Sequence, residues 1–320
     1  MNRNQELENS QTIKLPQEFN ECLNYGILFN PINSLSHYDV SKKMSASIVI
    51  QHWNHSKFLP MLFESFKAMD KTNVDCQFII TDSGSSEGEK TNVLKLLDTY
   101  RGILKVDFLY HNLNEQRDDF NKKNSDGTFH GFPYISNSAL NYCKNDIHIL
   151  CDSSNIVNDK WLIGLCCEHY LFFKEKLIIK SMGGDFSSES TIKLETMDFS
   201  LECFKLPMMF YGFEAGRGFG WSIKTSELKR LGGFRHLLSS CGGVDDCFWY
   251  RAKLDGFKFF GNNNSMAAHR IHSEGYETNL RKPDWAYKQL KRIYITNKEN
   301  NPIIPFESIK PKEVYKNYED

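Results

Sequence analysis

Two aspartates follow short apolar stretches of the sequence and could bind a polar ligand. In IHILCDSSNIV (147–157) the apolar run stops at Asp152, and in TDSGSSEG (81–88) Asp82 follows another such run. A carboxylate at position 82 could accept a hydrogen bond from a ring N–H of a nucleobase, and one at position 152 could contact a metal ion or a ribose. Both acids also have a structural explanation, because Asp and Gly often serve the backbone of turns.

Two further stretches carry adjacent acids and paired histidines. GGVDDCFWYR (242–251) contains Asp245 and Asp246, and HRIHSEG (269–275) contains His269 and His272. An acid held in a crevice could remove a proton from a hydroxyl nucleophile, although acids also favour the start of a helix. Imidazole nitrogen together with carboxylate oxygen suits a borderline divalent cation such as Mn²⁺, although two histidines at this spacing also occur by chance.

The elements that position these residues alternate along the first half of the chain. Buried strands are predicted at 45–51, 76–82, 106–111 and from 147, with helices at 57–69, 88–100 and 134–143 and a loop at 112–132. This alternation predicts a mainly parallel sheet covered on both faces. Ligands of such sheets bind beyond the carboxyl ends of the strands, where Asp82 and Asp152 would lie. We therefore expect solvent to reach the Asp82 carboxylate, and Asp82→Ala to have little effect on folding.

The second half of the chain is less regular. The pattern predicts an apolar helix at 159–173, a strand at 176–184, a loop at 185–200, a helix followed by a strand over 245–261, and a helix near 283–297. The polar residues 1–44 are predicted to form an N-terminal extension, residues 45–275 a central domain and residues 276–320 a C-terminal helical extension.

The amino-acid composition is typical of a globular protein without a strong charge bias. The chain has 320 residues, of which 40% are hydrophobic and 25% charged, and its formal net charge is -1. Such a balance supports a sizeable core and gives no reason to expect a nucleic-acid partner. Nine cysteines without a CxxC pair favour reduced thiols. The absence of a signal core or a long apolar run predicts a cytoplasmic protein, with peripheral association at the inner face of the membrane left open.

Five segments in order resemble a glycosyltransferase of the GT-A fold, of the family-2 type, with further likeness to β-1,4-galactosyltransferase and chondroitin-polymerase relatives. SIVIQHWNHSKFLPMLFESF resembles the family's opening strand, Asn-containing turn and helix, and QFIITDSGSSEGE its Asp-bearing strand end. SNSALNYCKNDIHILCDSSN resembles the segment that leads to the DxD motif. LKRLGGFRHLLSSCGGVDDCFWYRAKLDG resembles the Gly-Gly-Phe segment and acidic ED helix, and HRIHS the late histidine.

The resemblance implies a role for each candidate residue. Asp82 would bind the nucleobase, and Asp152 would lie at the ribose and the metal as the first acid of DxD. Asp245 would be the catalytic base of an inverting enzyme. His272 would ligate a divalent cation, Mn²⁺ or Mg²⁺, with His269 as a second ligand three positions earlier.

Three more residues complete the predicted nucleotide-sugar site: Asn54, Trp221 and Asp246. Trp221 is a candidate for stacking on a sugar, as is Trp249, for which core packing is the favoured role. Two positions depart from the family pattern, since Ser154 replaces the last acid of DxD and Val244 replaces the glutamate of the ED pair. The first change removes an acidic ligand and is expected to weaken the hold on a cation.

The resemblance implies a mixed, mainly parallel α/β sheet flanked by helices, and transfer of a sugar from a nucleoside diphosphate sugar to an acceptor hydroxyl. UDP is the expected nucleotide, and the expected acceptor is a glycan or a lipid-linked molecule in surface polysaccharide or glycoconjugate synthesis. Two alternatives remain open. One is a nucleotidyltransferase, which would carry a Gly-rich basic loop that QHWNHSKF lacks. The other is a catalytically silent protein that binds nucleotide-sugars.

Overall fold

The computed structural model describes the central part of the chain with gaps: residues 30–32, 43–114, 131–185, 199–200, 204, 209–210, 220–234, 244–270 and 308–319. The described strands are β1 Asn30–Ile32, β2 Met44–His52, β3 Val74–Asp82, β4 Val106–Tyr110, β5 Ile147–Asp152, β6 Asn155–Val157, β7 Leu177–Asp185, β8 Met209–Phe210, β9 Trp221–Lys224, β10 Lys258–His269 and β11 Glu313–Lys316. The helices are α1 Leu59–Ala68, α2 Glu87–Thr99, α3 Phe132–Leu140, α4 Trp161–Leu171, α5 Thr225–Arg230 and α6 Val244–Leu254, with a 3-10 turn at Ser56–Phe58 before α1.

These strands form one mixed sheet in the order β1-β10-β7-β9-β5-β2-β3-β4-β11, with β6 paired to β10 and β8 to β7. The central neighbours β5, β2, β3 and β4 are parallel to one another, as are β7, β10 and β1. Strand β9 is antiparallel to β5 and β7, and β11 is antiparallel to β4. The predicted α/β class, with a mainly parallel sheet flanked by helices, is confirmed.

Strand β2 shows why the sheet needs helices on both faces. Ile48 and Ile50 pack into a core formed with α1, α2 and α4, while Val49 between them packs into the core on the side of α3, α5 and α6. Successive side chains of a strand point to opposite faces, so a run of consecutive apolar residues requires two cores. β-branched residues also favour the extended backbone, and the same alternation recurs around Ile79 in β3.

Helix α2 begins with a serine cap. Ser86 has an extended backbone and its hydroxyl accepts a 3.3 Å hydrogen bond from the Glu89 amide. Glu87 and Glu89 place negative charge in the first turn, which the helix dipole favours. The loop that precedes α2 is therefore held against the end of β3.

Several strands lie where the sequence predicted none. β10 continues through the polar run GNNNS as far as His269, with an irregular register against β7 between Asn262 and Met266. β6 follows Asp152 after a two-residue turn, and β1 and β11 come from the predicted N- and C-terminal extensions. A partner strand supplies the hydrogen bonds of these polar segments, which their own composition does not indicate.

None of the described helices is long and apolar enough to cross a membrane. The cysteines whose side chains are described, Cys76, Cys143, Cys151, Cys166 and Cys167, are free thiols.

Candidate functional site

The two predicted strand-end acids lie at the same edge of the sheet. Strands β3 and β5 flank β2 in parallel, so that Asp82 pairs with His52 and Asp152 pairs with Gln51. All three strands end there, and the backbone turns away beyond them. The sequence correctly placed both acids at the carboxyl edge, which is where open α/β sheets bind ligands.

Asp82 is not open to solvent, which corrects the expectation from the sequence. Its carboxylate is fully buried. Oδ2 lies 2.5 Å from Nδ1 of His52 and accepts a 2.6 Å bond from the Ser85 hydroxyl. Oδ1 accepts from the amides of Gly84 and Ser85 at 2.8 and 2.7 Å. These four contacts occupy the carboxylate, so in this conformation it does not offer an acceptor to a nucleobase.

The surroundings of Asp82 also keep it charged. Burial by itself would raise the pKa of Asp82, but the hydrogen bond and positive charge of His52, together with the bonds from Ser85, lower it below its usual value. Gly84 completes the turn with φ of 91°, and a Cβ there would lie 3.0 Å from the His111 carbonyl oxygen. The contacts of Asp82 are therefore those of a polar turn after a strand, the structural explanation that the sequence also allowed.

Asn54 joins the turns that follow β2 and β3. It has a left-handed backbone with φ of 53°, which Asn tolerates better than most residues. Its amide donates to the Ser85 hydroxyl at 2.7 Å, and its side-chain oxygen accepts from the Ser86 amide at 3.0 Å. The residue is exposed, so this predicted site residue is at the surface of the edge and positions the turn before α2.

Asp152 is partly exposed and is oriented by Ser154. Its Oδ1 accepts from both the amide and the hydroxyl of Ser154, at 2.8 and 2.6 Å. Burial favours a higher pKa for Asp152, but the charge of His269, the bonds from Ser154 and the charge of His55 lower it. Asp152 is thus an ionised carboxylate in the field of two imidazoles.

The end of β10 brings His269 to Asp152. His269 pairs with Asn155 of β6 on one side and with Asp185 of β7 on the other. The Arg270 amide donates to the Ser154 carbonyl at 3.1 Å, which holds the turn after Asp152 against the end of β10. The sequence predicted that both residues bind one cation, although they lie 117 positions apart.

A carboxylate and an imidazole fit a borderline divalent cation such as Mn²⁺. Within the described ranges, no three His, Cys, Asp or Glu side chains come together as a metal site. His272, the other predicted ligand, lies outside the described residues. The described residues therefore offer two ligands for a cation, Asp152 and His269. Further ligands would have to come from other residues or from a bound molecule.

Helix α6 carries the predicted base at its start. Asp245 and Asp246 occupy its first turn, where only the backbone is described. The helix is anchored by Phe248 and Trp249, which are buried against the sheet. Negative charge in a first turn is favoured by the helix dipole, so the backbone position suits both acids.

The prediction that Trp221 stacks on a sugar is wrong. Its side chain is fully buried. Its ring stacks on Phe248 at 5.3 Å between centroids and meets Trp249 and Phe234 edge-on at 6.2 and 6.0 Å. With its faces covered by other rings, Trp221 is a core residue. The predicted core role of Trp249 is confirmed by the same contacts.

Sequence analysis missed His52 and His55. The only signal for His52 was a polar residue directly after the predicted strand 45–51, next to an Asn-containing turn. His55 adds to the field around Asp152 and packs edge-on against Phe58 at 5.4 Å. The Arg270 guanidinium lies 5.8 Å from the same Phe58 ring, which adds a cation to this edge.

No protein-family model matches the chain, and no curated protein does. Solved structures do resemble it. A glucosyl-3-phosphoglycerate synthase from Mycobacterium tuberculosis, in complex with Mn²⁺, UDP and phosphoglyceric acid, has a TM-score of 0.50 and 14% identity, covering 84% of this chain and 87% of that chain. A Pyrobaculum calidifontis mannosyltransferase in complex with GDP-Man and Mn²⁺ has a TM-score of 0.48 and 12% identity, covering 84% of this chain and 74% of that chain.

Residues 1–349 of S. aureus TarS, in complex with UDP-GlcNAc, give a TM-score of 0.46 and 19% identity, covering 79% of this chain and 66% of that chain. Of these three structures, the synthase alone reaches a TM-score of 0.50. At such low sequence identity, this likeness establishes the fold and leaves the activity to be argued from the site.

Proposed function

From the GT-A fold of this chain, we propose that it is a glycosyltransferase that moves a sugar from a nucleoside diphosphate sugar to an acceptor hydroxyl with inversion. The observation that carries this proposal is the pairing of β10 with β6 at the carboxyl edge of the sheet, which sets His269 opposite Asn155, three residues after Asp152. Ser154, between them, holds the Asp152 carboxylate in place. An ionised acid beside imidazoles suits a cation and the diphosphate that accompanies it. The synthase of the same fold is in complex with Mn²⁺ and UDP, which supports a UDP-sugar as the donor.

In the proposed reaction the acceptor oxygen attacks the anomeric carbon from the side opposite the diphosphate. A C–O bond forms as the bond to the diphosphate breaks, and the proton of the hydroxyl passes to Asp245. A divalent cation at this site would supply positive charge that stabilises the leaving diphosphate. Asp152 and His269 would hold it, together with His272. Asp246 and Asn54 are proposed to contact the donor.

Arg270 is proposed as an additional cation for the diphosphate. Its backbone is tied to Ser154 next to Asp152. Asp82 has a different proposed role from the one that the sequence suggested. Its contacts to His52 and Ser85 shape the turn that borders the site, and it could bind a nucleobase only if those contacts opened.

A screen of nucleotide-sugars for thermal stabilisation, with and without Mn²⁺, tests the function. A ligand at a hundredfold its Kd raises the free energy of unfolding by about 2.7 kcal/mol. We expect UDP-sugars to raise the Tm in the presence of Mn²⁺ and the stabilising donor to be consumed when acceptor is added. Stabilisation without any hydrolysis or transfer would instead support the silent binding protein, and no stabilisation by any nucleotide-sugar would contradict the proposal.

Cation binding should depend on the donor, because the described residues supply only two ligands. We expect little Mn²⁺ binding to the free protein and clear binding once a nucleoside diphosphate adds its oxygens. Asp152→Ala, His269→Ala and His272→Ala should each lower the donor-dependent Mn²⁺ affinity, by about ten- to a hundredfold by analogy with losses around metal sites. Calorimetric titration of Mn²⁺ with and without UDP measures this.

Asp75→Ala is the matched control, since Asp75 is an exposed acid at the opposite end of strand β3. Its Mn²⁺ titration should equal that of the wild type. Equal Mn²⁺ affinity in the wild type and the Asp152 and His269 variants would remove these residues from the cation site. Full transfer in excess chelator would leave Asp152 as a ribose ligand and Arg270 as the group that stabilises the diphosphate.

A further inference from the structure

A group of exposed apolar side chains lies far from the candidate site. Phe172 and Phe173, directly after α4, are 53% and 65% exposed, and Leu254 at the end of α6 is 70% exposed. Their segments are tied together: the Lys176 ammonium donates to the carbonyl of Asp255 at 3.0 Å and to its carboxylate at 2.9 Å. The Lys258 amide also donates to the Lys176 carbonyl at 2.9 Å. These contacts join the two apolar segments at the edge of the sheet where β7 and β10 begin.

The two apolar segments also carry lysines. Segments 172–176 and 253–258 contain four lysines and two acids, and Lys224 donates to the Phe173 carbonyl, so together they carry a net charge of +3. Lys174, Lys253 and Lys258 are exposed, and the Lys174 ammonium lies 5.6 Å from the Phe173 ring. We call Phe172, Phe173, Leu254, Lys174, Lys253 and Lys258 the phenylalanine–lysine surface.

The phenylalanine–lysine surface lies at the edge of the sheet opposite the candidate site. Lys258 pairs with Leu177 where β10 and β7 begin, whereas His269 pairs with Asp185 where they end. The nine residues of β7 span roughly 30 Å at about 3.3 Å per residue. Changes at this surface can therefore be separated experimentally from changes at the site.

The size of the apolar area argues against a stable protein interface. Each Phe side chain offers about 150–250 Å² in total, so the exposed fractions of the two rings and Leu254 amount to roughly 350 Å². A stable protein–protein interface needs about 800 Å² on each partner. A small apolar area on segments that carry exposed lysines matches an interfacial membrane contact instead, in which apolar groups enter the headgroup region and cations meet anionic lipids.

We propose that the phenylalanine–lysine surface binds an anionic lipid bilayer. Phe172, Phe173 and Leu254 insert among the headgroups and upper acyl chains. Lys174 and Lys253 extend their apolar stems beside them and place their ammonium groups against lipid phosphates. The Lys258 ammonium is paired with the Glu175 carboxylate at 2.7 Å and adds its stem to the same surface. The contact is peripheral and sensitive to salt, because charges outside the protein are screened within about 10 Å at 0.1 M salt.

Co-sedimentation of the whole chain with lipid vesicles tests the proposal. The wild type should bind vesicles of equal parts phosphatidylglycerol and phosphatidylcholine, bind pure phosphatidylcholine much more weakly, and dissociate as salt rises. Phe172→Ser with Phe173→Ser should lower the partition coefficient about tenfold or more, from the lost apolar burial. Lys174→Gln and Lys253→Gln should each lower it about fivefold on anionic vesicles.

Ile103→Ser is the matched control, because Ile103 is also 53% exposed but lies outside this surface. Its binding should equal that of the wild type. The thermal shift with donor should be the same in all variants, which shows that they are folded and separates this test from that of the proposed function. The proposal is overturned if the wild type fails to bind anionic vesicles or if the Phe and Lys variants bind as well as Ile103→Ser. A dimer in solution that the Phe variant abolishes would likewise overturn it and assign the surface to a second copy of the chain.

Discussion

Asp245→Asn should lower the rate of sugar transfer about 10²–10⁴-fold while leaving donor affinity unchanged, as expected for the loss of a general base. Asparagine is nearly isosteric with aspartate and is well tolerated at the start of a helix, so α6 should still form from Val244. The measurement is single-turnover transfer with saturating donor, together with calorimetry of donor binding. Near-normal turnover would contradict the role of Asp245.

Asp246→Asn is the control that distinguishes the two neighbouring acids. It carries the same chemical change one position along the same helical turn. We expect it to weaken donor binding and to leave the rate of the bound complex largely unchanged. If Asp246→Asn shows the rate loss and Asp245→Asn does not, the base is Asp246, and the rest of the proposed mechanism stands.

Asp82→Ala should lower the free energy of unfolding by about 3–5 kcal/mol, because it leaves the buried His52 without its charged partner. The substitution also removes the acceptor of the Gly84 and Ser85 amides that forms the turn before α2. This expectation replaces the one from sequence, which foresaw little effect on folding. Urea denaturation of the variant and the wild type measures the difference.

The pH dependence of this effect has a definite sign. The folded-state pKa of Asp82 is lowered, so the stability that it contributes is present above the unfolded-state pKa of about 3.9 and is lost as the pH falls through the lower, folded value. The difference in stability between the wild type and Asp82→Ala should therefore shrink as the solution is acidified below about pH 4.

Asp75→Ala serves as the control for Asp82→Ala, since it removes an exposed acid at the start of the same strand. Exposed substitutions of this kind usually change stability by less than about 0.5 kcal/mol. A loss from Asp82→Ala no larger than that from Asp75→Ala would show that the contacts of Asp82 to His52 and Ser85 contribute little to stability.

The sequence determined the central architecture. Residues such as Ile48, Val49 and Ile50 are apolar on consecutive positions, and only a strand with a core on each face buries them all. The helical spacing that follows each strand then requires parallel neighbours. Since parallel strands end at one edge, the positions of Asp82 and Asp152 at the ends of their apolar runs were enough to place both at the carboxyl edge.

Only the tertiary structure decided what each candidate side chain contacts. The Asp82 carboxylate contacts His52 because His52 ends the neighbouring strand in register with it. Trp221 is buried because α6 packs Phe248 and Trp249 against β9. Neither partner can be read from local spacing, which reports the face of a strand but not the identity of what covers it.

The pairing of Asp152 with His269 shows the same division most clearly. Sequence resemblance could nominate both residues, but β10 was expected to stop at 261, before the polar run GNNNS. In the structure β7 and β6 supply the hydrogen bonds that carry β10 on to His269. Residue types and periodicity determined the sheet and its carboxyl edge. Non-local strand pairing decided that His269 lies beside Asp152, because the energy of such pairing depends on the partner strand rather than on the segment's own composition.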